Sequence, residues 1–220
     1  LYKTNPMKLN AILILSGLLF ATCGSSNAPE MSVEQAQAVV AAPKNLDGLA
    51  KAYFASGCFW CVEAVYESVR GVEEVVSGYS GGEEPNPTYH QVGSGNTGHA
   101  EAVEVYYDPN VVSFATLVEV FYGSQDPTTV GQKPDYGSQY RSIIFYTTDE
   151  EKGIAEAVKA DAQLTTPGKV VTEILPFEKF WIAEEYHQDY EKLNPNQPYV
   201  VGVSIPRLNK FKQKHPELVK

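Results

Sequence analysis

Residues 52–82 read AYFASGCFWCVEAVYESVRGVEEVVSGYSGG, and the change of period along this stretch decides the fold class. Ala52, Tyr53 and Phe54 form a short strand-like run closed by Ala55-Ser56-Gly57, a turn signal. From Phe59 the apolar residues Val62, Val65, Tyr66 and Val69 recur at spacings of three and four, while Glu63, Glu67 and Arg70 take the other face. That pattern predicts an amphipathic helix with Cys58 at its N-terminus. Gly71 stops it, and Val72 to Tyr79 reads as a second strand closed by Ser80-Gly81-Gly82.

Working outward, a long Gly, Pro, Asn and Ser loop runs to Gly98. His99 to Tyr107 then alternates: His99, Glu101, Val103, Val105 and Tyr107 share one face, and Ala100, Ala102, Glu104 and Tyr106 the other. Pro109 ends that strand, and Ser113 caps a helix with Phe114, Leu117, Val118 and Phe121 at i, i+3, i+4 and i+7, running to about Asp126-Pro127. After an irregular stretch to Ser138, the pattern predicts a strand over Ser142–Thr147 and a helix from Asp149 to about Gln163. A strand over Val170–Leu175 and a helix over Phe180–Leu193 follow. Strands and helices mix without strict alternation, so the class is α+β with an antiparallel or mixed sheet.

The chain has 220 residues, 43% hydrophobic and 20% charged, enough for one ordinary core. A formal charge of -10 leaves no basic surplus for a phosphate backbone, which argues against nucleic-acid binding. Three cysteines, Cys23, Cys58 and Cys61, are too few for a cystine framework. Lys3 and Lys8 precede the apolar run AILILSGLLFAT, residues 11–22, which is too short for a membrane span and reads as a signal-peptide core. The run ends at Cys23 in an order that resembles a bacterial lipobox. Residues 1–22 are therefore expected to be a signal peptide of the lipoprotein type and Cys23 a lipidation site, with the alternatives of ordinary cleavage after Ala28 or an inert thiol in a discarded peptide. The aromatic-poor residues 23–49 read as a flexible tether, 50–212 as the catalytic domain and 213–220 as a tail.

The chemistry centres on Cys58. A thiol at a helix start meets unpaired N–H groups and the positive end of the backbone dipole, which lowers its pKa from about 8.5 and strengthens it as a nucleophile. The plainer reading is a small buried hydrophobe. Cys61 is one helical turn away, a spacing that suits a redox couple. Zinc competes, but the only histidines are the scattered His90, His99, His187 and His215, so no metal is expected. Glu101 shares a strand face with Val103 and Val105; if that face is packed, its carboxyl rises above about 4.3 and becomes a proton donor, and if it lies at the open end it is simply solvated.

The segments Gly57-Cys58-Phe59-Trp60, Gly78-Tyr79-Ser80-Gly81-Gly82, Asn86-Pro87-Thr88-Tyr89, Thr97 to Val103, Gly137 to Ser142, Val171 to Ile174 and Ala183 to Gln188 carry a resemblance. Collinear from about Ala52 to about Tyr190, they make the chain similar to the peptide methionine sulfoxide reductase A family. The resemblance implies a two-layer α/β plait, related to ferredoxin-like folds, and reduction of the S epimer of methionine sulfoxide, protein-bound or free. It implies Cys58 as nucleophile, Phe59 and Trp60 as walls for the substrate methyl, and Glu101, Tyr89 and Tyr140 as donors to the sulfoxide oxygen. Asp135 would orient the substrate backbone and His187 would line or buttress the site; their plainer readings are a loop carboxylate and a packing imidazole. No cofactor is implied beyond an external thiol reductant, a thioredoxin-like protein or a dithiol, and the chain is expected to act as a monomer, exported to a bacterial envelope as a periplasmic or membrane-anchored protein.

Position 61 is cysteine where the family most often has glycine, and the tail after Pro195 holds no cysteine where many members keep a resolving one. The stretch Asp126 to Asp135 is slightly short, and Ser124-Gln125 stands where histidine is usual. Cα atoms one turn apart lie about 5 to 5.5 Å from one another, within disulfide range, so Cys61 is expected to resolve a Cys58 sulfenic acid; the alternative is a Cys61 buried beneath the helix, with a small-molecule thiol resolving the intermediate directly. Two other functions compete: a general thiol-disulfide oxidoreductase built on the CFWC pair, and a non-enzymatic binding module with an aromatic platform of Tyr89, Tyr106, Tyr107 and Tyr140.

Overall fold

The computed structural model describes residues 45–220; the apolar run, Cys23 and most of the tether lie outside the described residues. Strands β1 (Ala50–Ser56), β2 (Val72–Ser80), β3 (Ala100–Tyr107), β4 (Ser142–Tyr146), β5 (Glu173–Pro176) and β6 (Phe180–Ile182) form one sheet in the order β5-β4-β1-β3-β2-β6. Neighbours are antiparallel except the parallel pair β4 and β5, so the sheet is mixed, as the patterning predicts.

The helices α1 (Phe59–Glu67), α2 (Tyr89–Gly93), α3 (Phe114–Gly123), α4 (Asp149–Thr165), α5 (Tyr190–Leu193) and α6 (Ile205–Lys214) complete the fold. One face of the sheet, with Phe54, Val103, Val105 and Ile144, is buried in one core with Val62, Val65 and Tyr66 of α1 and Leu117, Val118 and Phe121 of α3. Burying each such side chain stabilises by about 1.5–3 kcal/mol, which matters because a helix as short as α1 is marginal by itself. The opposite face, with Tyr53, Ala55, Ala102 and Phe145, is covered by Leu175, Phe177 and Phe180, Phe177 stacking on Tyr53 at 3.7 Å. Two covered faces explain why β3 is buried nearly throughout while its residues still alternate in partner.

Ser113 caps α3 as expected, its hydroxyl accepting from the Thr116 amide. Four expectations need correction. Glu63 is not on a solvent face: it is 3% exposed, hydrogen-bonded by the Ser77 hydroxyl and the Asp189 amide, because β2 and the 188–193 segment cover that side of α1. Phe180–Leu193 is not one helix. Phe180, Trp181 and Ile182 instead pair with Ser80, Tyr79 and Gly78, a 3-10 turn spans Glu185–His187, and only Tyr190–Leu193 is helical. The loop before Gly98 contains α2, whose Thr88 and Gln91 form a capping box. Strand β5 begins at Glu173 rather than Val170, since Val171 donates to the Pro127 carbonyl instead of the sheet.

The C-terminal residues fold back on the start of β2. Arg70 donates to the Leu218 carbonyl, Lys220 to the Ser68 carbonyl, and Val69 bridges Val219.

Candidate active site

Cys58 caps α1 at the end of β1, where Gly57 turns the chain with φ +88°. A Cβ on Gly57 would stand 2.9 Å from Gln132 Cγ, so the turn requires glycine twice over. The Gly57 amide donates to the Tyr140 carbonyl at 3.1 Å, fixing the 3-10 turn Ser138–Tyr140 beside the nucleophile. Gln139 in that turn donates to the Gly93 carbonyl at 3.1 Å, which ties in the end of α2 and thereby Tyr89.

Glu101, 2% exposed, lies on β3 directly beneath this turn, and the Phe59 amide donates to its Oε2 at 2.9 Å. Burial pushes its carboxyl up to about 8 against the opposing pull of that amide, with the charges of Asp135 and Cys61 adding to the rise. Glu101 is therefore neutral at pH 7 and holds a proton inside the site, in line with the packed-face reading. Tyr89 is pushed up to about 12 and Tyr140 higher still, in both by burial first and then by the neighbouring negative groups, Glu101 and Cys58 among them. Both stay phenolic donors around the same space.

Both thiols are free and buried, Cys58 at 7% and Cys61 at 2% exposure. The expected acidification of Cys58 is not what the structure holds. Burial, then its hydrogen bond to Cys61 and the charge of Glu101, push the Cys58 thiol up, and the helix start does not offset them. Cys61 moves the other way: the hydrogen bond from Cys58, the Arg207 charge and the Ser204 and Tyr199 hydroxyls together outweigh its burial. The two thiols are coupled, so they titrate as a pair that shares one proton after the first ionisation.

Phe59 is fully buried among Tyr79, Tyr89 and His187, whose ring centroids lie 5.9, 6.3 and 5.0 Å away. Trp60 stacks flat on Tyr190 at 3.7 Å and donates its indole N–H to His187 Nδ1 at 3.2 Å. That bond leaves the His187 proton on Nε2; burial lowers the imidazole's pKa, so the ring stays neutral. Asp135 accepts a hydrogen bond from Tyr199, and burial raises its pKa against the Tyr199 bond and the Arg207 charge.

The structure thus brings Cys58, Cys61, Glu101, Tyr89, Tyr140, Phe59, Trp60, His187 and Asp135 to one end of the sheet. Tyr106 and Tyr107 lie at the other end of β3, the first bonded to Glu104 and the second buried, so the four-tyrosine platform does not form. Sequence reasoning missed Glu184, which accepts from the Tyr79 hydroxyl at 2.8 Å and the Tyr89 amide at 2.9 Å and so sets α2 against β2. It also missed Tyr199 and Arg207. Glu184 sits inside a motif already singled out; the other two carry no local signal.

A family model described as "Peptide methionine sulfoxide reductase" matches residues 50–218. A peptide methionine sulfoxide reductase from Sulfolobus acidocaldarius is 48% identical over 162 residues, covering 73% of this chain and 92% of its own length. One from Nautilia profundicola is 49% identical over 163 residues, with coverages of 73% and 93%. Among solved structures, reduced Mxr1 from Saccharomyces cerevisiae matches with TM-score 0.64 and 34% identity over 67% of this chain and 87% of that one. Methionine sulfoxide reductase A of Corynebacterium diphtheriae matches with TM-score 0.62 and 34% identity, with coverages of 68% and 76%.

Proposed function

The chain belongs to the peptide methionine sulfoxide reductase family and reduces methionine sulfoxide to methionine, and from that premise we propose how its own residues divide the work. Cys58 attacks the sulfoxide sulfur while the neutral Glu101 gives its proton to the sulfoxide oxygen and Tyr89 and Tyr140 donate hydrogen bonds to it. Thiolate, sulfoxide and protonated Glu101 become a Cys58 sulfenic acid, methionine and ionised Glu101. The oxygen passes to Cys58 sulfur, which is oxidised by two electrons as the substrate sulfur is reduced. The attacking thiolate arises when the one proton shared by the pair crosses from Cys58 to Cys61. Phe59 and Trp60 take the substrate methyl, His187 holds the Trp60 indole, and Asp135 orients the substrate backbone.

Cys61 then condenses with the sulfenic acid to give a Cys58–Cys61 disulfide and water. An external thiol reductant, a thioredoxin-like protein or a dithiol, returns the pair to thiols. The substrate is the S epimer, as membership of the reductase A family implies, one enzyme serving each sulfoxide epimer. With Cys23 acylated, the enzyme would work as a tethered repair protein of a bacterial envelope, which fatty-acid labelling of wild type but not Cys23→Ala would support.

One observation carries the proposal: a buried, neutral Glu101 is hydrogen-bonded to the first residue after Cys58. A general disulfide reductase uses the thiol pair but gives that carboxyl no task. Turnover of the separate epimers of a blocked methionine sulfoxide tests the proposal. Conversion of the S epimer alone supports it, and insulin disulfide reduction without sulfoxide turnover contradicts it.

A further inference from the structure

The C-terminal segment brings two side chains to Cys61 that neither the family motifs nor the sequence patterns single out. Tyr199 Oη lies 3.7 Å from Cys61 Sγ and bridges that sulfur to Asp135. Its one proton goes to Asp135 while the Cys61 thiol donates to its oxygen, and turns to Cys61 once that sulfur is ionised. Arg207, from α6, donates to the Ser124 carbonyl at 2.8 Å and to Ser56 at its carbonyl, 3.0 Å, and hydroxyl, 3.2 Å. A guanidinium held by three bonds is a fixed charge, and it is held on the backbone just ahead of Gly57-Cys58. Cys61, Asp135, Tyr199 and Arg207 all line one cavity of about 790 Å³, whereas Cys58 does not. Cys61 therefore shares the Tyr199 hydroxyl with Cys58 and has the permanent cation of Arg207 on its own side of the helix, in a chain whose net charge is -10.

We propose that Tyr199 and Arg207 are positioning residues for the thiol pair: they stabilise negative charge on Cys61 sulfur, so that Cys61 closes the disulfide and is the sulfur that departs when an external thiol reopens it at Cys58. The proposal rests on the reading that Cys61 resolves the sulfenic acid. In closure, Cys61 thiolate forms the S–S bond and the sulfenic oxygen leaves as hydroxide, which takes a proton to become water. In reopening, the reductant thiolate bonds to Cys58 and the electron pair of the broken S–S bond stays on Cys61. A second reductant thiol then attacks the mixed disulfide at the reductant's sulfur and frees Cys58. The departing sulfur is the better-stabilised thiolate, as thiol exchange prefers. The opposite shifts of the two thiols agree with this polarity. The groups facing Cys61 are Cys58 from the helix cap, Glu101 from β3, Asp135 from the loop, Ser204 and Tyr199 from the C-terminal segment, and Arg207 from α6.

The test is the pH dependence of disulfide closure, followed by quenched-flow mass spectrometry after one equivalent of sulfoxide without reductant. Tyr199→Phe and Arg207→Gln should each move the midpoint upward by about one pH unit, slowing closure about tenfold below it. Arg207→Lys, which keeps a charge, should restore most of the loss. A mixed disulfide trapped with an aromatic thiol should map to Cys58. Tyr199→Phe removes a single oxygen, so it remains informative if Arg207→Gln loosens α6. Unchanged midpoints in both variants, or a mixed disulfide on Cys61, would overturn the proposal. A wild type that closes no Cys58–Cys61 disulfide at all would instead overturn the resolving role of Cys61, and this proposal with it.

Discussion

The Phe59 amide and the Glu101 carboxyl are joined at 2.9 Å, so the first turn of the nucleophile's helix and the proton donor's strand cannot move independently. The distance between attacking sulfur and acid is thereby set by backbone rather than by a flexible side chain, which is how a short helix can hold a reacting geometry.

Glu101→Gln keeps the hydrogen-bonding shape but has no proton to give. Sulfoxide reduction should slow by about 10²-fold or more, while alkylation of Cys58 continues. Because the carboxyl sits at about 8, wild-type sulfoxide reduction should also fall as pH rises through that value, and the fall should vanish in the variant. Stopped-flow methionine release across pH 6 to 9 checks both.

Tyr89→Phe and Tyr140→Phe each remove one of two donors to the same oxygen. Each should slow the first step about tenfold, and the double variant should lose more than the product of the two, because the remaining phenol no longer compensates. Single-turnover rates of the three variants measure this.

Glu63, like Glu101, has a folded-state carboxyl raised to about 8, chiefly by burial, from an ordinary value near 4.5. The raised value favours the protonated form in the folded state. Its contribution to stability is therefore full below about 4.5 and is lost as pH climbs to about 8. Thermal melts should show stability falling across that window, and Glu63→Gln should flatten the slope; a slope unchanged in the variant would show that Glu63 is not its source.

Cys61→Ser removes both the partner that takes the Cys58 proton and the resolving thiol. One methionine per enzyme should still be released in a single turnover, but more slowly at neutral pH, because no neighbouring sulfur takes up the Cys58 proton in the buried site. The product should stall as a sulfenic acid, which a dimedone adduct would report.

Much of this site was legible because its parts lie in locally periodic segments. The spacing of Val62, Val65 and Tyr66 places Cys58 at a helix start, and the alternation of Glu101, Val103 and Val105 turns the carboxyl inward. The Thr88 and Gln91 capping box was equally legible but hidden in a glycine-rich loop. Phe180–Leu193 reads as a helix in sequence, but Phe180, Trp181 and Ile182 pair with Ser80, Tyr79 and Gly78 of β2, partners far away in the chain that no local pattern shows. Tyr199 and Arg207 carry no periodic signal at all: only the packing of α6 and of the turn Val200–Ser204 before it on α1 brings them to Cys61. The acidity of Cys58 is hidden from sequence for a related reason, since the helix start is a local feature and the burial that outweighs it is not.

The most direct test is a single turnover: wild-type protein with all thiols reduced, mixed with one equivalent of the S epimer of a blocked methionine sulfoxide, acid-quenched, digested and weighed. The account predicts one methionine released and a loss of two hydrogens in the peptide containing Cys58 and Cys61. Release of no methionine, or one added oxygen persisting on Cys58 while Cys61 remains a free thiol, would contradict it.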